Sequence, residues 1–331
     1  LVAVLYGVGA GGRDADARLH NYMLSDVRDH YFAVIEELCT TYDVDGFELD
    51  FQRYPRFFRT AEVGEGTTVM TAFVKRIRNM LDRLGKERGK TLKLCVRVPH
   101  TVAAGMEVGL DVVGWDAAEL IDMITVSSSK IQTVELDIEA FKTRTKGARI
   151  YGEMHYITHG KSKEKPGNRY TTREIYRGTA LNLLARGVDG LSLYNVDYVP
   201  EHKRQDMAKV LEGITQRAYL RTFSKDYAIY PGFGSFEATD RQTVELIIPD
   251  DTSEVAFDRS VLRIETVATC VDLRIGVWLN GKQLAACEHE GTELFPPVSV
   301  NAGYPSRDQV AFYAVPLDLL VPGKNTINIE N

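Results

Sequence analysis

Between Val27 and about Ile214 the chain alternates between two hydrophobic periods. Apolar residues at Tyr31, Val34, Ile35 and Leu38 recur at helical spacing and predict a helix over Val27 to Tyr42. A strand over Val44 to Phe51 follows at once, then a long helix from about Thr67 to Lys86. Further strands are predicted at Leu92 to Val98, Met123 to Val126, Arg149 to His155 and Gly190 to Asn195, with a helix over Arg173 to Arg186 closed by Gly187. Helices and strands taking turns imply a parallel sheet with helical crossovers, whose closed form is the (β/α)8 TIM-type barrel. Five strands are clear and Val2 to Tyr6 is a sixth. A barrel needs eight, so the expectation is either a missing N-terminal portion, the simpler explanation, or a genuinely incomplete sheet.

After a last helix over Pro200 to Ile214 the pattern changes. From about Val244 short alternating runs dominate: Val244 to Ile248, Val261 to Ile264, Leu273 to Trp278, Gln309 to Val315 and Thr326 to Ile329. Leu279-Asn-Gly-Lys282 and Pro322-Gly-Lys-Asn325 read as hairpin turns between them. The expected organisation is a barrel domain over residues 1–218 and an all-β sandwich over residues 219–331.

Composition narrows the function classes. The 331 residues carry a net charge of −6, which argues against a nucleic-acid partner because phosphate contacts need a basic face. No apolar run approaches the ~20 residues of a membrane span. Cys39, Cys95, Cys270 and Cys287 show no metal-site spacing, and a pairing of Cys270 with Cys287 stays open. Neither a metal nor a cofactor is expected.

The strand within Tyr42 to Pro55 carries the most chemistry. Successive residues of a strand face opposite sides, so Glu48, Asp50 and Gln52 share one face while Phe47, Leu49 and Phe51 share the other. Carboxylates in an apolar strand cost free energy unless paired, and active sites accept that cost. Asp45-Gly-Phe-Glu-Leu-Asp-Phe51, with Arg53-Tyr-Pro55 after it, resembles the family 10-like glycosylhydrolases, which implies a (β/α)8 barrel acting on polysaccharides. The same octet is similar to the Asp-Gly-x-Asp-x-Asp-x-Glu strand of family 18 chitinase-type enzymes, whose last Glu is the general acid. Gln52 stands at that position here, and an amide cannot serve as an acid.

Reacting groups of parallel barrels gather at the C-terminal strand ends. That places Asp50, Gln52 and Arg53, then Arg97 and His100, then Ser127 and Ser128, then Glu153 and His155, then Tyr194 and Asn195 around one rim. Counting back from Asn195 makes the Asp50 strand the fourth and the Glu153 strand the seventh, where the resemblance implies a catalytic carboxylate pair. Asp50 and Glu153 are therefore the expected catalytic residues, with Glu48, Gln52, Arg53, Arg97, His100, His155, Tyr194 and Asn195 around the substrate. Glu153 neutralising Arg97 is the structural alternative. Arginines suit bidentate recognition of sulfate or carboxylate, so the expected substrate is a polysaccharide, anionic or sulfated. A secreted or periplasmic location follows from such a substrate. Two other functions compete: a non-catalytic carbohydrate-binding barrel, and a nucleotide-dependent oxidoreductase using Gly7-Val-Gly-Ala-Gly-Gly12. The second lacks the apolar helix and the later acidic strand end that a dinucleotide fold requires.

Overall fold

A computed structural model describes residues 2–6, 20–52, 54–128, 132–157, 171–196, 208–229, 241–266, 276–287 and 309–330. The chain divides into two compact units. The first comprises Leu1–Lys130, Glu135–Met154 and Arg186–Tyr194; the second comprises Ile131–Val134, His155–Ala185 and Asn195–Asn331. Segments 155–185 and 195–218, which the expected boundary near residue 218 left in the barrel, thus group with the second unit.

The first unit is built on a parallel sheet of six strands in sequence order: β1 (Val2–Tyr6), β2 (Gly46–Asp50), β3 (Lys93–Pro99), β4 (Met123–Ser127), β5 (Arg149–His155) and β6 (Gly190–Tyr194). Helix α1 (Ser25–Thr41) buries Tyr31, Ile35 and Cys39, a stripe spaced by four. Helix α2 (Val63–Arg88) buries Met70, Phe73, Val74, Ile77, Leu81 and Leu84, and ends at Gly89, whose φ of 66° only glycine adopts cheaply. Short helices α3 (Val102–Met106), α4 (Val112–Ala117) and α5 (Ile138–Arg144) each start from a side-chain cap: Thr101, Asp111 and Asp137.

Acids stitch the entry ends of the strands. Buried Asp116 accepts backbone N–H bonds from Lys146 (2.7 Å), Gly147 (3.1 Å) and Ala148 (2.6 Å), fixing the approach to β5. Asp122 accepts from the Leu94 N–H (2.9 Å), and Asp189 from the Ile150 N–H (2.8 Å). Carboxylates spent on backbone donors in this way are structural.

Gly46 opens β2 under a tight constraint. A Cβ there would lie 2.4 Å from the Lys93 carbonyl oxygen, inside any real contact distance. Gly46→Ala is expected to push β2 from β3 and lower stability by about 1–3 kcal/mol. An unchanged urea midpoint would mean that the strands do not approach in this register.

In the second unit, helices α6 (Arg173–Ala185) and α7 (Arg217–Arg221) accompany two antiparallel sheets. One has the order β10 (Lys282–Gln283), β9 (Gly276–Leu279), β13 (Gly323–Glu330), β7 (Arg241–Ile248); the other runs β11 (Ala285–Ala286), β12 (Gln309–Val315), β8 (Ser260–Thr266). Both sheets feed one core that includes Leu246, Val277, Leu279, Tyr313, Val315 and Ile327. Asn280 and Gly281 take φ of 50° and 84° between Leu279 and Lys282, the two-residue hairpin expected there. The turn at Pro322 does something else. It follows a 3-10 turn at Leu317–Leu319 and leads into β13, whose partners are β7 and β9, so it carries the chain from one sheet to the other rather than closing a hairpin. Residues 208–211 are helical, while the first half of the helix expected over Pro200 to Ile214 lies outside the described residues.

Candidate active site

Parallel register decides what meets on the face of β2 that carries its acids. Asp50 pairs with Arg97 across β2 and β3, and Arg97 pairs with Thr125 across β3 and β4, so a guanidinium stands beside the acid strand. Arg97 Nη1 donates to both Asp50 oxygens, at 2.9 and 3.0 Å. Its Nη2 donates to Glu153 Oε1 (3.1 Å) and Ser127 Oγ (3.0 Å), and its Nε donates to Glu153 Oε2. Ser127 Oγ in turn donates to Glu153 Oε1 at 2.6 Å. The guanidinium carbon lies 4.0 Å from the centre of the Tyr194 ring, a cation–π contact that covers one of its faces.

The triad is dry. Side-chain exposure is 3% for Arg97 and 1% each for Asp50 and Glu153. Three fully desolvated charges persist together only because nearly every lone pair and proton has a partner. The expected pair, Asp50 and Glu153, thus meets on one cation, and the ion-pair alternative for Glu153 is realised in the same contact.

Titration behaviour separates Glu48 from Asp50. Burial pushes the Asp50 carboxyl up, against the pull of Arg97 and of the Gln52 backbone N–H that donates to Asp50 Oδ1 at 2.9 Å. Arg97 is raised: burial opposes its charge, and Glu153 and Asp50 more than offset it. Glu48 differs. Only half buried, it is pushed up to about 7, first by desolvation and then by the Asp50 charge; Arg97 opposes, Glu153 adds, and a 3.4 Å bond from Thr125 Oγ1 gives slight relief. It is a carboxyl group that holds a proton near neutral pH beside a fixed ion triad. Its chemistry is that of an acid.

Gln52 completes this face. It is 3% exposed, and its Nε2 has no hydrogen-bond partner among the described residues. Phe51, its neighbour on the opposite face, packs edge-on against Phe57 (5.4 Å) and beside Trp115 (5.6 Å). Trp115 is a core residue whose Nε1 donates to Thr71 Oγ1 at 2.8 Å.

The remaining expected residues are distributed as follows. His100 follows β3, half buried; burial lowers its imidazole pKa against the influence of Asp137. His155 belongs to the second unit, where its N–H donates to Gln132 Oε1 (2.6 Å), its Nδ1 accepts from the Ile157 N–H (3.2 Å) and its carbonyl accepts from Thr171 Oγ1 (2.6 Å). Asn195 also falls in that unit, with a left-handed φ of 53°. Arg53 and the glycine run Gly7 to Gly12 lie outside the described residues. Cys39, Cys95 and Cys287 are free thiols, and Cys270 lies outside the described residues. Thr125 was not expected, although its place two residues before Ser127 on the same strand face was readable.

No protein-family model matches the chain, nor does any curated protein. Among solved structures the chain is similar to a family 18 chitinase from Cycas revoluta in complex with (GlcNAc)4, at 13% identity over 66% of this chain and 80% of that one, with a TM-score of 0.47. It is also similar to a chitinase-like agglutinin from Robinia pseudoacacia (11% identity, 65% and 80%, TM-score 0.46). A family 18 N-acetylglucosaminidase from Paenibacillus barengoltzii gives 13% identity, 59% and 77% coverage and a TM-score of 0.44.

Proposed function

We propose that the first unit is a glycoside hydrolase acting on a polysaccharide, with Glu48 as its proton donor. The observation that supports this reading is the Glu48 carboxyl, pushed up to about 7 and partly exposed, next to Asp50, Arg97 and Glu153. Glycoside cleavage needs a group that protonates the leaving oxygen and negative charge that steadies the sugar cation forming behind it. Glu48 meets the first need at neutral pH. Asp50 and Glu153, the expected catalytic pair, meet the second as acidic groups held in place by Arg97. Residues 219–331 serve as an accessory module that contributes no acid.

A non-catalytic carbohydrate-binding barrel is the second reading. It is favoured by the complete engagement of both buried carboxylates on Arg97 and by the amide at Gln52. Screening the intact chain for reducing ends released from a panel of polysaccharides separates the two. Release that fades as the pH rises past about 7 is the expected result; binding without release on every glycan of the panel would leave the binding role.

A further inference from the structure

We infer that Gln52 is the ligand-reading donor of this site and that the sugar group it receives is uncharged. The inference rests on the site being a glycan site, as proposed above, and adds which glycans it takes. Its first support is the orphaned amide. Gln52 is 3% exposed and its backbone N–H is tied to Asp50, yet its Nε2 has no acceptor among the described residues. A buried donor without a partner costs stability, and such a group in a native protein calls for an explanation. A hydroxyl or amide oxygen of a bound sugar supplies the missing acceptor.

The second support is a count of donors and charges. A guanidinium has five N–H groups. In Arg97 the Nε donates to Glu153, Nη1 to the Asp50 carboxylate, and Nη2 to Glu153 and Ser127, while Tyr194 covers a face. Each nitrogen is already engaged inside the protein, so this arginine is committed to Asp50, Glu153 and Ser127 rather than held open for a sulfate or a carboxylate. Among the described residues the cluster holds three carboxyl groups, Glu48, Asp50 and Glu153, against one guanidinium. Acidic groups therefore outnumber cations there. An anionic sugar entering such a site meets like charge with little water to screen it.

Calorimetric binding by the intact chain tests this with four probes: the tetrasaccharides of glucose and of N-acetylglucosamine, and a sulfated form of each. A neutral probe is expected to bind, and its sulfated form to bind at least tenfold more weakly. Gln52→Met, which fills the space without a donor, is expected to weaken the neutral probe at least tenfold. The same variant should melt higher by roughly 2–4 °C, since it removes an unsatisfied polar group; a purely structural amide would give a lower melting temperature. The inference is overturned if the sulfated form binds as well or better, if Gln52→Met melts lower or binds unchanged, or if none of the four probes binds. A probe that binds but is never cut would defeat the hydrolase reading alone. Cleavage of sulfated glycans in preference to neutral ones would defeat only the inference.

Discussion

Replacing Arg97 by leucine is expected to destabilise the first unit by roughly 3–5 kcal/mol, the usual consequence of removing one partner from a buried ion pair. The cost comes from what stays behind. Asp50 and Glu153, each with a side chain 1% exposed, would face each other without a cation and without the four hydrogen-bond contacts it makes to them. Either a carboxyl takes up a proton or water enters the sheet. The combined variant Arg97→Leu, Asp50→Asn, Glu153→Gln should recover part of the loss, because it removes the uncompensated charges along with the cation. Urea unfolding checks both variants. A single Arg97→Leu variant within about 1 kcal/mol of the parent, the size of an exposed pair, would show that the triad is not buried in solution.

Glu48→Gln is expected to lower kcat on a cleaved glycan by about 10²–10⁴-fold, the usual worth of a positioned general acid. KM should move little and the fold should persist, since the amide is close in size and shape. Stability supplies an independent readout with a definite sign. The folded carboxyl titrates at about 7 and an unfolded glutamate near 4.3, so between those values the folded chain holds the extra proton. The contribution of Glu48 is therefore most favourable below the lower value, declines as the pH rises through this window, and is constant above about 7. The whole decline amounts to no more than about 4 kcal/mol, at 1.36 kcal/mol per pKa unit. Glu48→Gln should flatten that part of the stability curve.

Much of the first unit was legible because its signals are local. Alternation along Gly46–Asp50 put Glu48 and Asp50 on one face and Phe47 and Leu49 on the other, and the stripe of α1 showed in residues spaced by three and four. Pairing between strands was not legible. The acid strand read as lacking a positive charge because the charge comes from β3, through the register that sets Asp50 beside Arg97. The special standing of Glu48 was equally hidden, since it depends on partial burial and on two neighbouring carboxylates rather than on residue type. The turn at Pro322 shows the same limit from the other side: its residues announce a turn but not which sheet the next strand joins.

The pH dependence of kcat/KM on a neutral glycan, measured from pH 4 to 9, tests the central claim most directly, because it reports the ionisation of the free enzyme's essential acid. The reading of Glu48 as proton donor predicts a falling limb with its midpoint at about 7. Activity that runs level from pH 6 to 9 would contradict it.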